Sequence, residues 1–510
     1  MLSKKFKIMF FCLVLIFLVT FSLGIFAKDN KQELVVAFGQ DIVTFDMHNY
    51  RGTQDTIAGA LVYETLVSFD RDNNIVPKLA TSWEKIDPLT WKFYLRKGVK
   101  FHDGTPFTAE VVKFSIERCS IAGGSGATLG FVDNVEVIDD YTVILHLKNE
   151  FAPALNNLTY VGGAMMNPKF VEEKGEDITQ YVCGTGPFKL EEYTPGTRTV
   201  FVKNEDYWGK PAKLDRVEFR TIPEESTRVM ALQSGEIDLI ENPPPHELAA
   251  IEKDKNLYVY VSPKDRVLYV GFNFLDENVG GEKNKALREA IAYAINNQEI
   301  VDYLLEGIAL PADKGFIPES IAKGMNDPSL IRKPDLEKTK QILKEAGIKP
   351  GRNVEFWVTR GRYLMDAATG EVIQEQLSKV GINTDLLVVD FASMMTACSK
   401  HEQQMFLVAW SFGTGDPSRV FHVLFNSKSA WNFFGYFNED LDKLIVEAGV
   451  TIDWNKRMEI FNKAYKIVYD NVLLVPILQY ENIYAANKKV KGLFISPAEL
   501  ISFEDIYIEE

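Results

Sequence analysis

The chain has 510 residues, and at about 100–200 residues per domain two or three compact units are expected. A composition of 46% hydrophobic, 25% charged and 12% aromatic residues excludes intrinsic disorder as the main state. The net charge of −15 disfavours a nucleic-acid partner, and past residue 27 no apolar run approaches the roughly 20 residues of a spanning helix, which excludes a polytopic membrane protein.

At the N-terminus, Lys4, Lys5 and Lys7 precede an apolar stretch from Ile8 to Phe21, and Ser22, Gly24 and Ala27 follow before a polar run opens at Lys28. That order is a signal peptide over residues 1–27, implying export to a periplasmic or other extracytoplasmic location. A lipid anchor needs a cysteine just after the apolar core. Cys12 lies inside that core, so a lipoprotein is not expected. Cys119, Cys183 and Cys398 remain, an odd number without a CxxC pair. Both a Cys119–Cys183 bridge and buried free thiols are open, and free thiols are the plainer reading.

Further along, Leu89, Trp91, Phe93 and Leu95 alternate with polar residues, as a half-buried strand does, and Tyr141 to Leu147 alternates likewise. Thr108 is placed as the N-cap of a helix running to Arg118, so 75–183 reads as a small α+β unit. Helices are expected over 224–233, 287–295 and 335–346, with Asn297 capping the next helix after 295 and Gly347 closing the third. The strand at 354–358, a helix over 367–380 and a following strand imply parallel α/β structure. Two helices then fill 438–471, and 473–478 reads as a strand.

Catalytic signatures are near misses. Gly123 to Ala127 lacks the last glycine of a GxSxG elbow, and His246-Glu247 has Ala250 where a second zinc ligand would stand. His401-Glu402 fails in the same way, no phosphate-binding GxxxxGK[ST] occurs, and the six histidines are dispersed. The residues imply no cofactor and no metal site, and they favour a binder over an enzyme. An exported hydrolase of peptides or glycans, using a distant carboxylate pair, is the competing class.

Several segments in fixed order are similar to one family. They are Asp41 to Asp46, Val62 to Val67, Pro77 to Glu84, Trp91 to Gly104, Gly184 to Phe188, Asn204 to Trp208 and Leu287 to Ile295. On these the chain resembles the extracytoplasmic solute-binding proteins of the peptide/nickel class of ABC transporters, which include dipeptide- and oligopeptide-binding proteins. The resemblance implies an α/β, two-lobed type II periplasmic-binding-protein-like fold with an extra α+β subdomain inserted in lobe I. Lobe I is then 28–74, 184–271 and 479–510, the insert 75–183 and lobe II 272–478, with hinge crossings near 271 and 478. It also implies a monomeric receptor that takes a small solute in the interlobe cleft and delivers it to membrane permease subunits. A peptide-like ligand is the first expectation, with an oligosaccharide or a metal chelate as alternatives.

In that family an arginine of lobe II meets a ligand carboxylate, and here Arg360 and Arg362 both match the position. A guanidinium suits the role because its fork donates two parallel hydrogen bonds. Phe391 and Trp410 match aromatic cleft residues, Asp416 sits in the loop after Trp410 and is expected to brace it, and Tyr50, Gly52 and Thr53 match a lobe I loop. Gly413 departs from the pattern: dipeptide and oligopeptide binders carry there an aspartate that pairs with the α-ammonium. A buried ammonium without a partner is costly, so either another acid serves or the ligand lacks a free amine at that place.

Overall fold

The computed structural model describes residues 32–509 apart from 51, 122–125, 322–324 and 326. The N-terminal apolar segment and part of the glycine-rich stretch at 123–127 lie outside the described residues. One sheet runs through the molecule in the order Ile382–Val389, Arg352–Thr359, Met405–Ser411, Leu257–Phe272, Leu474–Asn487, Leu239–Glu241, Glu33–Phe38, Arg216–Thr221, Arg198–Lys203, Phe188–Thr194. The short strand Ala309–Pro311 also pairs with Leu474–Asn487.

The two long central strands serve both halves. From Leu257 to Pro263 the first pairs with the stretch Asn487 to Glu481, and from Arg266 it also takes Met405–Ser411 as a partner. The ladder slips between Pro263 and Val267, leaving Lys264, Asp265 and Arg266 where the chain crosses from one half to the other. Val267 to Phe272 pack in the core of the second half with Leu287, Ile291, Phe356 and Phe406. Val267 to Phe272 pair without a break with Trp410 to Met405 and are wholly buried, although their ladder to Leu474–Asn487 slips again between Leu268 and Tyr269.

The first half has its own core, with Leu34, Phe45, Ile57, Phe188 and Phe201, and a small cluster including Val229 and Ile237. A third core, from Leu66 to Cys183, belongs to a separate four-stranded antiparallel sheet of Ala80–Asp87, Thr90–Leu95, Thr142–Leu147 and Val132–Asp139, covered by helix Ala109–Ile121. The alternation at 89–95 is there as strand Thr90–Leu95, with Phe93 and Leu95 buried. Cys183 and Cys398 are buried free thiols, and Cys119 is buried with its Sγ donating to Gly162 O at 3.0 Å.

Other elements follow their sequence signals. Arg352–Thr359 and Ile382–Val389 pair in parallel around helix Asp366–Ser378. Asp335 caps helix Leu336–Glu345 by accepting from Lys338 N at 2.9 Å. At helix Asn297–Leu304 the cap is Asn296, not Asn297: Asn296 has the extended backbone a cap requires and accepts from Glu299 N at 3.2 Å. No helix among the described residues is long and apolar enough to cross a membrane.

Candidate functional site

Where the halves meet, a cavity of about 300 Å³ is walled by both. From the first half come Tyr50, Gly52, Thr53 and Thr56, joined by Tyr160 and by Val161, which packs in the first half's core. The second half supplies Arg362, Tyr363, Phe391, Trp410, Gly413 and Arg419, and the C-terminal segment supplies Glu499. The halves touch directly around it. Ala152 N donates to Gly449 O at 2.7 Å, and Asn156 Nδ2 to Thr414 O at 3.4 Å.

Arg362 is presented by a loop that Asp366 organises. The buried carboxylate accepts from Thr359 Oγ1 at 2.7 Å and from the backbone N–H groups of Gly361, Arg362 and Tyr363 at 3.1 Å each. Gly361 makes the turn at φ 75°, where a side chain is disfavoured. The Arg362 guanidinium lies 4.5 Å from the Phe391 ring centre, and its buried Nε has no hydrogen-bond partner. Phe391 opens helix Phe391–Lys400, which Asp390 caps through Ser393 N. Arg360 points elsewhere: it is exposed and outside the cavity wall, and its backbone N–H joins Val389.

Trp410 ends strand Met405–Ser411, and its buried indole N–H is also unpartnered. Gly413 follows in the loop that Phe412 N pins to Asp265 O at 2.8 Å. Asp416 is buried away from the cavity; it accepts from Ser418 N at 2.8 Å and pairs with Arg457, bracing the loop from behind. Arg419, a few residues on, brings its guanidinium 5.5 Å from the Trp410 ring and 5.8 Å from the Tyr160 ring.

On the opposite wall, Tyr50 donates to Tyr160 Oη at 2.8 Å. Gly52 caps helix Thr53–Val62, and its N–H is taken by Asp55 at 3.1 Å. At the crossing, Glu499 pairs with Lys264 at 2.9 Å and Arg266 at 2.8 Å. Burial opposes its charge, but the two cations hold its carboxyl below the usual carboxylate range.

Seven of the nine sequence candidates, Tyr50, Gly52, Thr53, Arg362, Phe391, Trp410 and Gly413, therefore line one cavity, while Arg360 and Asp416 do not. Tyr160, Arg266, Arg419 and Glu499 escaped the sequence reading. Only Arg419 carried a signal, as a cation within the loop that follows Trp410. A second cavity of about 670 Å³ lies beyond Tyr160 and Gly413 and is lined in part by Glu64, Asp265 and Trp454. Among the described residues no cluster of His, Cys, Asp or Glu has the makings of a metal site.

The chain is similar to known proteins over almost its whole length. It is 29% identical over 499 residues to the glutathione-binding protein GsiB of Salmonella choleraesuis, covering 95% of this chain and 96% of that one. Its structure matches the periplasmic binding protein DppA of Helicobacter pylori in complex with the peptide STSA, with a TM-score of 0.81, 28% identity and coverage of 95% and 99%. It also matches AgaA of A. tumefacien in complex with agropinic acid, with a TM-score of 0.80, 25% identity and coverage of 94% and 99%. The fold is the two-lobed type II architecture of periplasmic binding proteins. The profile of bacterial extracellular solute-binding proteins, family 5 Middle, matches residues 74–432, and the chain belongs to that family.

Proposed function

We propose that this protein is the substrate-binding receptor of an ABC importer that holds a small peptide-like solute by an anionic group at Arg362. One observation carries the reading: a guanidinium with an unpartnered buried Nε faces a cavity closed by both lobes. Such a donor needs an acceptor, and a carboxylate matches its fork. The aromatic rings of Phe391, Trp410 and Tyr160 supply the apolar area that small-ligand sites use. The names of the relatives, one glutathione-binding and one solved with a peptide, support a peptide-like solute.

The lobes turn about Lys264 to Arg266 and the facing stretch near Gln479, where the ladder slips. The protein is exported after loss of residues 1–27, carries no lipid anchor, acts as a monomer, and passes its cargo unaltered to permease subunits. The test begins with protein purified without denaturation. The solute released on denaturing it is identified by mass and titrated into the refolded, ligand-free wild type and Arg362→Ala. Truncating one partner of a buried charge pair costs about 2–5 kcal/mol, so affinity falls by more than tenfold. Equal affinity in the variant rejects the reading.

A further inference from the structure

The hydrogen-bonding groups of the interlobe cavity are heavily one-sided. Arg362 and Arg419 both face it, and among the described residues neither guanidinium pairs with a carboxylate. The buried Trp410 N–H adds a third donor without a partner. Glu499 is the one acid among the described lining residues, and Lys264 and Arg266 already hold it. Two lining hydroxyls, those of Tyr50 and Tyr160, are joined to each other.

Gly413 completes the pattern. A Cβ there would stand 3.0 Å from Tyr160 Cε2, tighter than ordinary van der Waals contact. The Tyr160 ring thus fills the place from which a side-chain carboxylate would reach an ammonium group. The cavity offers donors at two separate points, with Phe391 under one and Trp410 beside the other, and no free acid among its described lining residues.

We infer that Arg419 is a second anion anchor, so that the solute is a compact dianion with two carboxylates and no free α-ammonium, such as an N-blocked acidic dipeptide. The inference rests on the receptor reading above and sharpens it to a ligand class. Two separated anions satisfy both guanidiniums, and an unpaired ammonium would meet no free carboxylate among the described lining residues. The cavity of about 300 Å³ is at the small end for ligand sites, which fits a short molecule.

Three matched probes test this by calorimetry: N-acetyl-Ala-Glu, N-acetyl-Ala-Gln and Ala-Glu. The wild type should bind N-acetyl-Ala-Glu at least about tenfold more tightly than either of the others, the cost of one lost charge-assisted contact. Arg419→Gln should bring the Glu and Gln probes within about threefold of each other, a change of ratio that a purely structural defect does not produce. Arg419→Lys, which keeps the charge and loses the fork, should retain part of the preference. Equal binding of the Glu and Gln probes by the wild type, tightest binding of Ala-Glu, or an unchanged ratio in Arg419→Gln overturns the second anchor and leaves the receptor reading standing. Silence of all three probes overturns the dianion class, and the Arg362→Ala titration then judges the receptor reading separately.

Discussion

Replacing Glu499 with Gln should weaken the fold and strengthen anion binding at once. Glu499 is 4% exposed and lies at a φ of 68°, a left-handed conformation that glutamate adopts only under constraint. The constraint is its double ion pair with Lys264 and Arg266, themselves nearly buried. Glutamine keeps the shape and one acceptor but leaves two buried cations without a counter-charge. Breaking a buried pair in that way costs about 3–5 kcal/mol. The same change removes the one lining carboxylate, whose charge already interacts with Arg362, so the cavity becomes more positive. Urea denaturation should show the loss of stability, and titration with N-acetyl-Ala-Glu a gain in affinity that shrinks as salt is raised. Unchanged stability would refute the account of the crossing, and weaker anion binding would refute the account of the cavity's charge.

Two further substitutions address the supports of the site. Burial pushes the Asp265 carboxyl from an ordinary 3.8 up to about 7, with Glu499 adding to the rise and the Ser320 hydroxyl opposing it. Below pH 4 folded and unfolded chains both carry this proton; between 4 and 7 only the fold keeps it, so stability falls as pH rises, by about 4 kcal/mol over the span. Asp265→Asn should therefore gain on the wild type in urea midpoint from pH 4 to pH 8, and a constant difference would count against the assignment. Asp366→Ala strips the acceptor from the Thr359 hydroxyl and three backbone N–H groups. At about 1–3 kcal/mol for each donor left buried, the loss should be several kcal/mol and should abolish probe binding, with Asp366→Asn milder in both; an Ala variant that still binds would show that Arg362 needs no such loop.

The sequence was most legible where one residue type does one local job. Asp335 and Gly347 bound their helix because capping is read within a single turn, and Phe93 and Leu95 declared a strand by alternation. The slip to Asn296 as cap arose where two asparagines stand side by side and only backbone geometry distinguishes them. Cavity residues of the second lobe such as Arg362 and Trp410 were legible through the family resemblance of the segments that carry them. The choice between Arg360 and Arg362 was not, because it depends on Asp366 turning the loop at Gly361. Glu499 was invisible for a deeper reason: its partners lie far earlier in the chain, and nothing local marks an acid that will be folded under two cations. Tyr160 likewise matters only because the fold brings it over Gly413.

That contact also ties ligand recognition to lobe closure. Among the described residues the contacts across the cleft include one good backbone hydrogen bond, one long side-chain bond, a cation–π approach of Arg419 to Tyr160, and the Tyr160 and Phe69 rings against Gly413 and Gly415. Each is worth about 1 kcal/mol or less, so open and closed forms lie within reach of each other, and each further 1.4 kcal/mol of contact shifts their ratio about tenfold. A ligand drives closure only by what it gains from the second wall after binding the first. Arg419 stands at that junction, on the wall of the second lobe yet beneath a ring of the first. An anion that draws Arg419 toward Trp410 sets where Tyr160 lands, and Gly413 leaves it room to land there. A side chain at 413 would crowd that ring, because its Cβ would stand 3.0 Å from Tyr160 Cε2.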